Sequence, residues 1–112
     1  MTPRDRESLG RILKCINAVR AYARRGGPDW SKDDMVLDAI AKRIEEIGEI
    51  AKRITADTIA AMPEVDWRGV RGIREILAHD YADVDPDVLV DAVSGALPEL
   101  RAAVGRVLTL GS

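Results

Sequence analysis

The fold is decided by the stretch LDAIAKRIEEIGEIAKRI, residues 37–54. Its apolar side chains recur at alternating steps of three and four residues, at Leu37, Ile40, Ile44, Ile47, Ala51 and Ile54. This spacing places all of them on one stripe of an α-helix. We therefore predict a long helix over about residues 32–55, with Ser31 as its N-cap. Such a stripe must be buried against other helices.

A similar apolar stripe precedes this one and comprises Leu9, Ile12, Ile16, Val19 and Ala23. It predicts a first helix over about residues 4–24, which begins near Pro3 and ends at Gly26-Gly27-Pro28. Because the connection to the next helix is short, the two helices should pack antiparallel or nearly so.

The rest of the chain predicts three further elements. They are a short helical turn over about residues 56–62, a helix capped by Asp66 that runs from Trp67 to about His79 or Tyr81, and a last helix that starts after Asp85 and is kinked at Pro98. We therefore predict a single all-α domain over residues 1–112. Its architecture would be an up-and-down bundle of four main helices plus a short extra helical turn.

Composition excludes several classes of protein. The formal net charge of −2 provides no general attraction to nucleic acid, so any such role requires a local cluster. A single cysteine, Cys15, excludes a disulfide within the chain, and with one histidine it excludes a Cys/His zinc site. We expect no metal and no cofactor. Without a long apolar run or a secretory signal, we expect a cytoplasmic protein that does not enter the membrane.

The candidate functional residues surround the single histidine, His79. They are Arg71, Arg74, Glu75, Asp80 and Tyr81. A lone histidine is more often structural, but cleaving RNA without a metal needs a group that moves protons and a cation that stabilises the phosphate. Histidine and arginine suit these two roles. We predict Arg74 and His79 as catalytic, with Glu75, Arg71 and Asp80 as supporting residues.

Helical geometry argues that one chain does not complete this site. Arg74 precedes His79 by five residues, which turns the two side chains about 140° apart on a straight helix. Glu75, by contrast, is four residues before His79 and lies on its face, where it favours a protonated imidazole. Either the helix is distorted near His79 or a second chain contributes. We predict a homodimer with a composite cleft on its two-fold axis, and Gly72 either permits that close approach or contacts its own chain.

The motif resembles that of a known family. Arg74-x4-His79-x-Tyr81 resembles the R-x4-H-x-Y signature of the HepT-like toxins, which belong to the HEPN superfamily of helical ribonucleases. The run from Trp67 to Arg74 and the element Gly48-Glu49-Ile50-Ala51 are also similar to that family. The resemblance implies an RNA-cleaving toxin that acts as a dimer without a metal.

The same resemblance implies a partner and a regulatory modification. The partner would be a minimal nucleotidyltransferase antitoxin of the MntA type, which adds AMP units to the tyrosine that matches Tyr81. The phosphates would block the cleft and repel RNA. This chain departs from many members in having Glu75 after the motif arginine, where a carboxylate could orient His79 or repel phosphate. We also predict Glu49 as a supporting residue, which either pairs with a motif arginine or faces solvent.

Two alternatives to a ribonuclease stay open on the sequence. One is a non-catalytic helical partner that regulates a nucleotidyltransferase, with the arginine cluster engaging nucleotide phosphates. The other is a structural dimerisation bundle, in which Arg74 and His79 could be replaced without consequence beyond stability. The near-neutral, slightly acidic composition favours these alternatives, whereas the spacing of His79 and Tyr81 favours the ribonuclease.

Overall fold

The computed structural model describes residues 1–78 and 85–110, except for the side chains of Arg74, Ile76 and Ala78. Its α-helices are α1 (Pro3–Gly26), α2 (Asp34–Ala51), α3 (Ala56–Ala60), α4 (Trp67–Ala78), α5 (Pro86–Asp91) and α6 (Leu97–Leu110). A 3-10 turn, Trp30–Lys32, precedes α2, and a π-helical segment, Ala92–Ala96, joins α5 to α6. No β-strand occurs in these ranges, which confirms the all-α prediction.

The first helix begins and ends where the sequence predicts. Pro3 occupies the first helical turn, where its missing N–H costs nothing, and the Thr2 hydroxyl accepts a hydrogen bond from the Asp5 N–H at 2.9 Å. The helix ends at Gly27, whose φ of +76° is a left-handed conformation that favours glycine. The chain then turns back, so that the end of α1 lies beside the start of α2.

Contacts along α1 and α2 confirm their predicted antiparallel packing. Cys15, in the middle of α1, lies against Glu46 in α2, while Asp5 at the start of α1 reaches Thr55, just beyond the end of α2. The predicted stripe of α2, from Leu37 to Ile54, is buried throughout. These two helices therefore form the centre of the bundle, and the other helices pack around them.

The predicted cap of α2 is wrong. Ser31 lies in the 3-10 turn, and the N-cap is Asp33, whose carboxylate accepts hydrogen bonds from the N–H groups of Met35 and Val36 at 3.0 and 3.3 Å. The helix also ends at Ala51, four residues before the predicted end. The chain turns there because the next segment starts a new short helix with its own cap.

The start of that short helix, α3, is bound by a buried carboxylate from α1. Asp5 is 1% exposed, and its carboxylate accepts hydrogen bonds from the Thr55 N–H at 3.1 Å, the Thr55 hydroxyl at 2.5 Å and the Thr58 hydroxyl at 2.6 Å. Burial alone would raise the pKa of the Asp5 carboxyl, but the hydrogen bonds from Thr55 and Thr58 outweigh it and hold the pKa below its ordinary value. Asp5 thereby ties the start of α1 to α3.

The last main helix is interrupted just before Pro98, as predicted. A helical proline lacks an N–H, and its ring clashes with the carbonyl four residues earlier, here that of Ser94. The π segment relieves this clash by widening the helix, since the Leu97 N–H donates to the Ala92 carbonyl five residues earlier. Asp85 caps α5 by accepting from the Asp87 N–H at 2.9 Å, also as predicted. Helices α5 and α6 thus form one interrupted helix.

One hydrophobic core connects the four main helices. It includes Ile12 and Ile16 of α1, Ile40 and Ile47 of α2, Trp67 of α4, and Leu100 and Val104 of α6. An open apolar groove of about 270 Å³ separates α4 from α6 and is floored by Ile44 and Ile47. Among the described residues, no helix combines the length and apolar composition that crossing a membrane requires.

Candidate functional site

Helix α4 carries Arg74, the first residue of the motif, and is held by a cap and by close packing on α2. Asp66 caps it by accepting from the Gly69 N–H at 3.1 Å. Its inner face packs on α2 at Gly48, where an added Cβ would lie 2.9 Å from Cγ2 of Ile73 and 3.1 Å from the Val70 carbonyl oxygen. Gly48 is therefore required for the close approach of α2 and α4. This explains physically why a glycine stands in the Gly48-Glu49 element.

The predicted catalytic residues fall mostly outside the described part of the chain. Arg74 lies in α4, but its side chain is not described. His79, Asp80 and Tyr81 all lie outside the described residues. Their roles, and the distance between Arg74 and His79, therefore stay predictions.

Glu75 and Glu49, two of the predicted supporting residues, are brought together by a residue that the sequence reasoning missed. The Lys52 ammonium lies 3.5 Å from a carboxylate oxygen of Glu49 and 3.5 Å from one of Glu75. Glu75 is in α4, whereas Lys52 is the C-cap residue of α2. Glu49 is half-buried, so it does not simply face solvent. The sequence signal for Lys52 was its position three residues after Glu49 at the end of a helix, where cations are favoured.

Arg71 binds the backbone at the end of α2. Its Nε donates to the Ala51 carbonyl at 3.2 Å and its Nη2 donates to the Ile54 carbonyl at 3.4 Å. The last carbonyls of a helix have no partner within it, and a cation satisfies them while complementing the helix dipole. The described contacts of Arg71 therefore join α4 to α2 and do not direct it toward a phosphate.

Other residues of α4 leave an open face. Arg68 and Glu75 are exposed, and Arg68 forms no hydrogen bond or ion pair with any other described residue. A Cβ added at Gly72 would meet no described atom within 4 Å. The alternative in which Gly72 makes a tight contact within its own chain is therefore not supported among the described residues.

A second polar cluster lies between α1 and α2. The Cys15 thiol donates to the Glu46 carboxylate at 3.5 Å, Arg43 lies 3.7 Å from the same carboxylate, and Arg43 donates to the Tyr22 hydroxyl at 3.3 Å. Burial, followed by the negative charge of Glu46, raises the pKa of the Cys15 thiol. Burial and the raised pKa both disfavour the thiolate, which is the reactive form of cysteine.

The chain matches a known protein family over most of its length. The family described as "Ribonuclease HepT-like" matches residues 12–107, a range that contains α2, α4 and the motif at residues 74–81. A protein of Thermococcus cleftensis named "Probable ribonuclease HepT" is 34% identical over 97 residues, which cover 86% of this chain and 88% of that protein. No solved structure matches the chain.

Several relatives come from Methanocaldococcus jannaschii. One, named "Putative RNase MJ1380", is 29% identical over 106 residues, which cover 93% of this chain and 97% of that protein. Another, named "Putative RNase MJ0127", is 30% identical over 70 residues. That match covers 62% of this chain and 58% of the relative, so it spans less than two thirds of the relative's length.

Proposed function

This chain belongs to the HepT-like ribonuclease family, and on that premise we propose that it is the toxin of a toxin–antitoxin pair and an endoribonuclease that needs no metal ion. The observation that carries the proposal is the family match across residues 12–107, which includes an intact Arg74-x4-His79-x-Tyr81 motif. The substrate is RNA, in which a 2′-hydroxyl lies beside each phosphodiester and can attack it.

In this reaction His79 moves protons and Arg74 stabilises the phosphate. A base removes the proton of the 2′-hydroxyl, an acid protonates the leaving 5′-oxygen, and a cation stabilises the charge that develops on the phosphate oxygens. Because Arg71 is engaged with the backbone carbonyls of α2, we assign the phosphate to Arg74. Arg68, exposed and without a described partner, supplies a second cation along the RNA backbone.

The active site is composite and lies between two copies of the chain. One chain has one histidine, and a two-fold axis beside α4 would supply two histidines and two motif arginines. The open space at Gly72 supports this arrangement, because a residue without a side chain lets a second helix approach closely. The apolar inner face of α4 is already occupied by α2, so its partner would meet the face that carries Arg68 and Gly72.

The activity is switched off by modification of Tyr81. A minimal nucleotidyltransferase of the MntA type, acting as antitoxin, would add AMP units to its hydroxyl. The added phosphates would place negative charge two residues from His79, where they would block the cleft and repel RNA. Intact mass after co-expression with such a transferase tests this step, since the gain of AMP units should disappear in Tyr81→Phe.

Cleavage itself is tested with purified protein free of any transferase, in the presence of EDTA. We expect wild type to cleave a single-stranded RNA oligonucleotide. The cleavage rate should fall at least about a hundredfold in His79→Ala, which removes the acid–base group. It should fall by a similar factor in Arg74→Ala, which removes the cation that stabilises the phosphate. Lys32→Gln, which removes an exposed cation at the other end of α2, is the matched control. Equal cleavage by wild type and His79→Ala would refute the proposal.

The composite site has its own test, which does not depend on the absolute rate. The inactive variants Arg74→Ala and His79→Ala are mixed under conditions that exchange subunits. A mixed dimer retains one intact arginine on one chain and one intact histidine on the other, so a site built from both chains regains activity. Two inactive variants that stay inactive in a verified mixed dimer would place the whole site in one chain.

The alternative of a non-catalytic regulator gives a different outcome in the same experiments. An inert protein that still binds the transferase and a nucleotide would support that function. Toxicity on expression alone, abolished by His79→Ala, would support the ribonuclease.

A further inference from the structure

Lys52 is assigned no role by the family motif, yet it forms an ion pair that joins the end of α2 to α4. Its ammonium lies 3.5 Å from both Glu49 and Glu75, and the two carboxylates come from different helices. A cation placed between two carboxylates attracts both and offsets part of their negative charge. We infer that Lys52 is a positioning residue for RNA cleavage, which holds Glu75 and makes a carboxylate tolerable next to Arg74. This inference rests on the proposed function.

Glu75 lies where its charge can act on an approaching RNA strand. It directly follows Arg74 in α4, its side chain is 66% exposed, and it is four residues before His79. An uncompensated carboxylate at this position would repel the phosphates of an approaching RNA strand. Lys52 reduces this repulsion because its ammonium lies 3.5 Å from the Glu75 carboxylate.

Lys52 is anchored at the end of α2. It is the C-cap residue of α2, and the negative end of the helix dipole favours a cation there. Its other partner, Glu49, precedes it by one helical turn and also lines an open cleft between α1 and α2 with Arg11 and Arg53. The Lys52 ammonium is thus held by one carboxylate of its own helix and by one of α4.

The ion pairs of Lys52 should affect RNA cleavage more than they affect the stability of the fold. All three side chains are between 39% and 66% exposed, and ion pairs in such surroundings contribute little to folding. We therefore expect Lys52→Gln to shift Tm by less than about 3 °C. Any larger change in activity must then come from the charge and position of Glu75.

The test is a double-mutant cycle of Lys52→Gln and Glu75→Gln. The cycle measures the interaction between the two residues separately from the effect of Glu75→Gln alone. With a single-stranded RNA oligonucleotide at low salt, we expect Lys52→Gln to lower kcat/KM about three- to tenfold, mainly through KM. The loss should shrink to less than about twofold in the Glu75→Gln background and at high salt, where exposed charges are screened. Lys52→Arg, which retains the cation, should stay within about twofold of wild type.

The control is Lys32→Gln, because Lys32 also pairs with a carboxylate three residues earlier, at 3.9 Å, but lies in the 3-10 turn that precedes α2. It should change kcat/KM less than about twofold, since it lies away from α4. If Lys52→Gln equals wild type, or reduces activity equally with and without Glu75, the inference is wrong. In the latter case Lys52 contacts RNA directly.

A binding measurement keeps this inference distinct from the proposed function. Anisotropy of a fluorescently labelled RNA oligonucleotide gives the same cycle in the His79→Ala background, where no cleavage is needed. An inactive wild type would overturn the ribonuclease, whereas this cycle separately tests whether Lys52 offsets the charge of Glu75 toward RNA. Weaker binding in Lys52→Gln that depends on Glu75 supports it, and unchanged binding overturns it.

Discussion

Replacing Asp5 by asparagine should remove a large share of the stability of this bundle. The carboxylate accepts three hydrogen bonds from Thr55 and Thr58 in a buried setting. Hydrogen bonds to a charged group contribute about 1.5–3 kcal/mol each, and the asparagine amide can retain only part of them. We expect Asp5→Asn to lower the free energy of unfolding by about 2–3 kcal/mol at pH 7, a substantial part of the 5–15 kcal/mol typical of a domain.

The pH dependence follows from the direction of the pKa shift. The hydrogen bonds hold the pKa of the folded Asp5 carboxyl below its ordinary value, so the unfolded chain binds a proton more readily than the folded chain. The stabilisation is therefore fully present above the unfolded pKa of about 3.9 and is lost as the pH falls through the folded pKa. The difference between wild type and Asp5→Asn should accordingly shrink as the pH falls below about 4.

Urea unfolding followed by circular dichroism, at one fixed protein concentration, measures both effects. Thr58→Ser retains the hydroxyl and is the control, while Thr58→Val removes one of the bonds and should cost about 1.5–3 kcal/mol. A loss below about 0.5 kcal/mol in Asp5→Asn at pH 7, or a difference that does not change with pH, would refute this account of the cluster.

Three further predictions concern the packing of α4 and the buried thiol. Arg71→Ala should destabilise the protein by about 1–3 kcal/mol in urea unfolding, because the Ile54 carbonyl loses the Arg71 donor and the Ala51 carbonyl keeps only the Ile54 N–H. Unchanged stability would contradict the role of Arg71. Gly48→Ala should cost about 1–3 kcal/mol, since its Cβ would press on the α4 backbone, whereas Gly72→Ala, in open space, should not destabilise the monomer. Because burial raises its pKa, the Cys15 thiol should resist iodoacetamide at pH 8 until urea unfolds the chain, as mass spectrometry would show; rapid labelling of native protein would contradict this.

The sequence predicted the parts of the fold that depend on local pattern. The stripe from Leu37 to Ile54, the start at Pro3, the cap at Asp85 and the interruption at Pro98 all follow from periodicity or from the chemistry of one residue. The cap of α2 was missed because Ser31 and Asp33 both suit that position, and only the 3-10 turn before α2 decides between them.

Contacts between distant residues could not be predicted in this way. Nothing in the sequence around Asp5 shows that its carboxylate reaches Thr55, fifty residues away. Arg71 was predicted as a supporting residue because it is near His79 in sequence, but its side chain binds the end of α2. Lys52 was overlooked because its second partner, Glu75, belongs to another helix.

The groove between α4 and α6 affects how firmly α4, which carries Arg74, is held in the bundle. Helix α4 rests mainly on α2, through Gly48 and Arg71, while its other flank faces the groove. A helix supported on one side can detach as a separate cooperative unit at a lower free energy than the whole bundle. Detachment of α4 would displace Arg74 and abolish the proposed site while the remaining helices stay folded. Amide hydrogen exchange in α4 would then be faster than in α1.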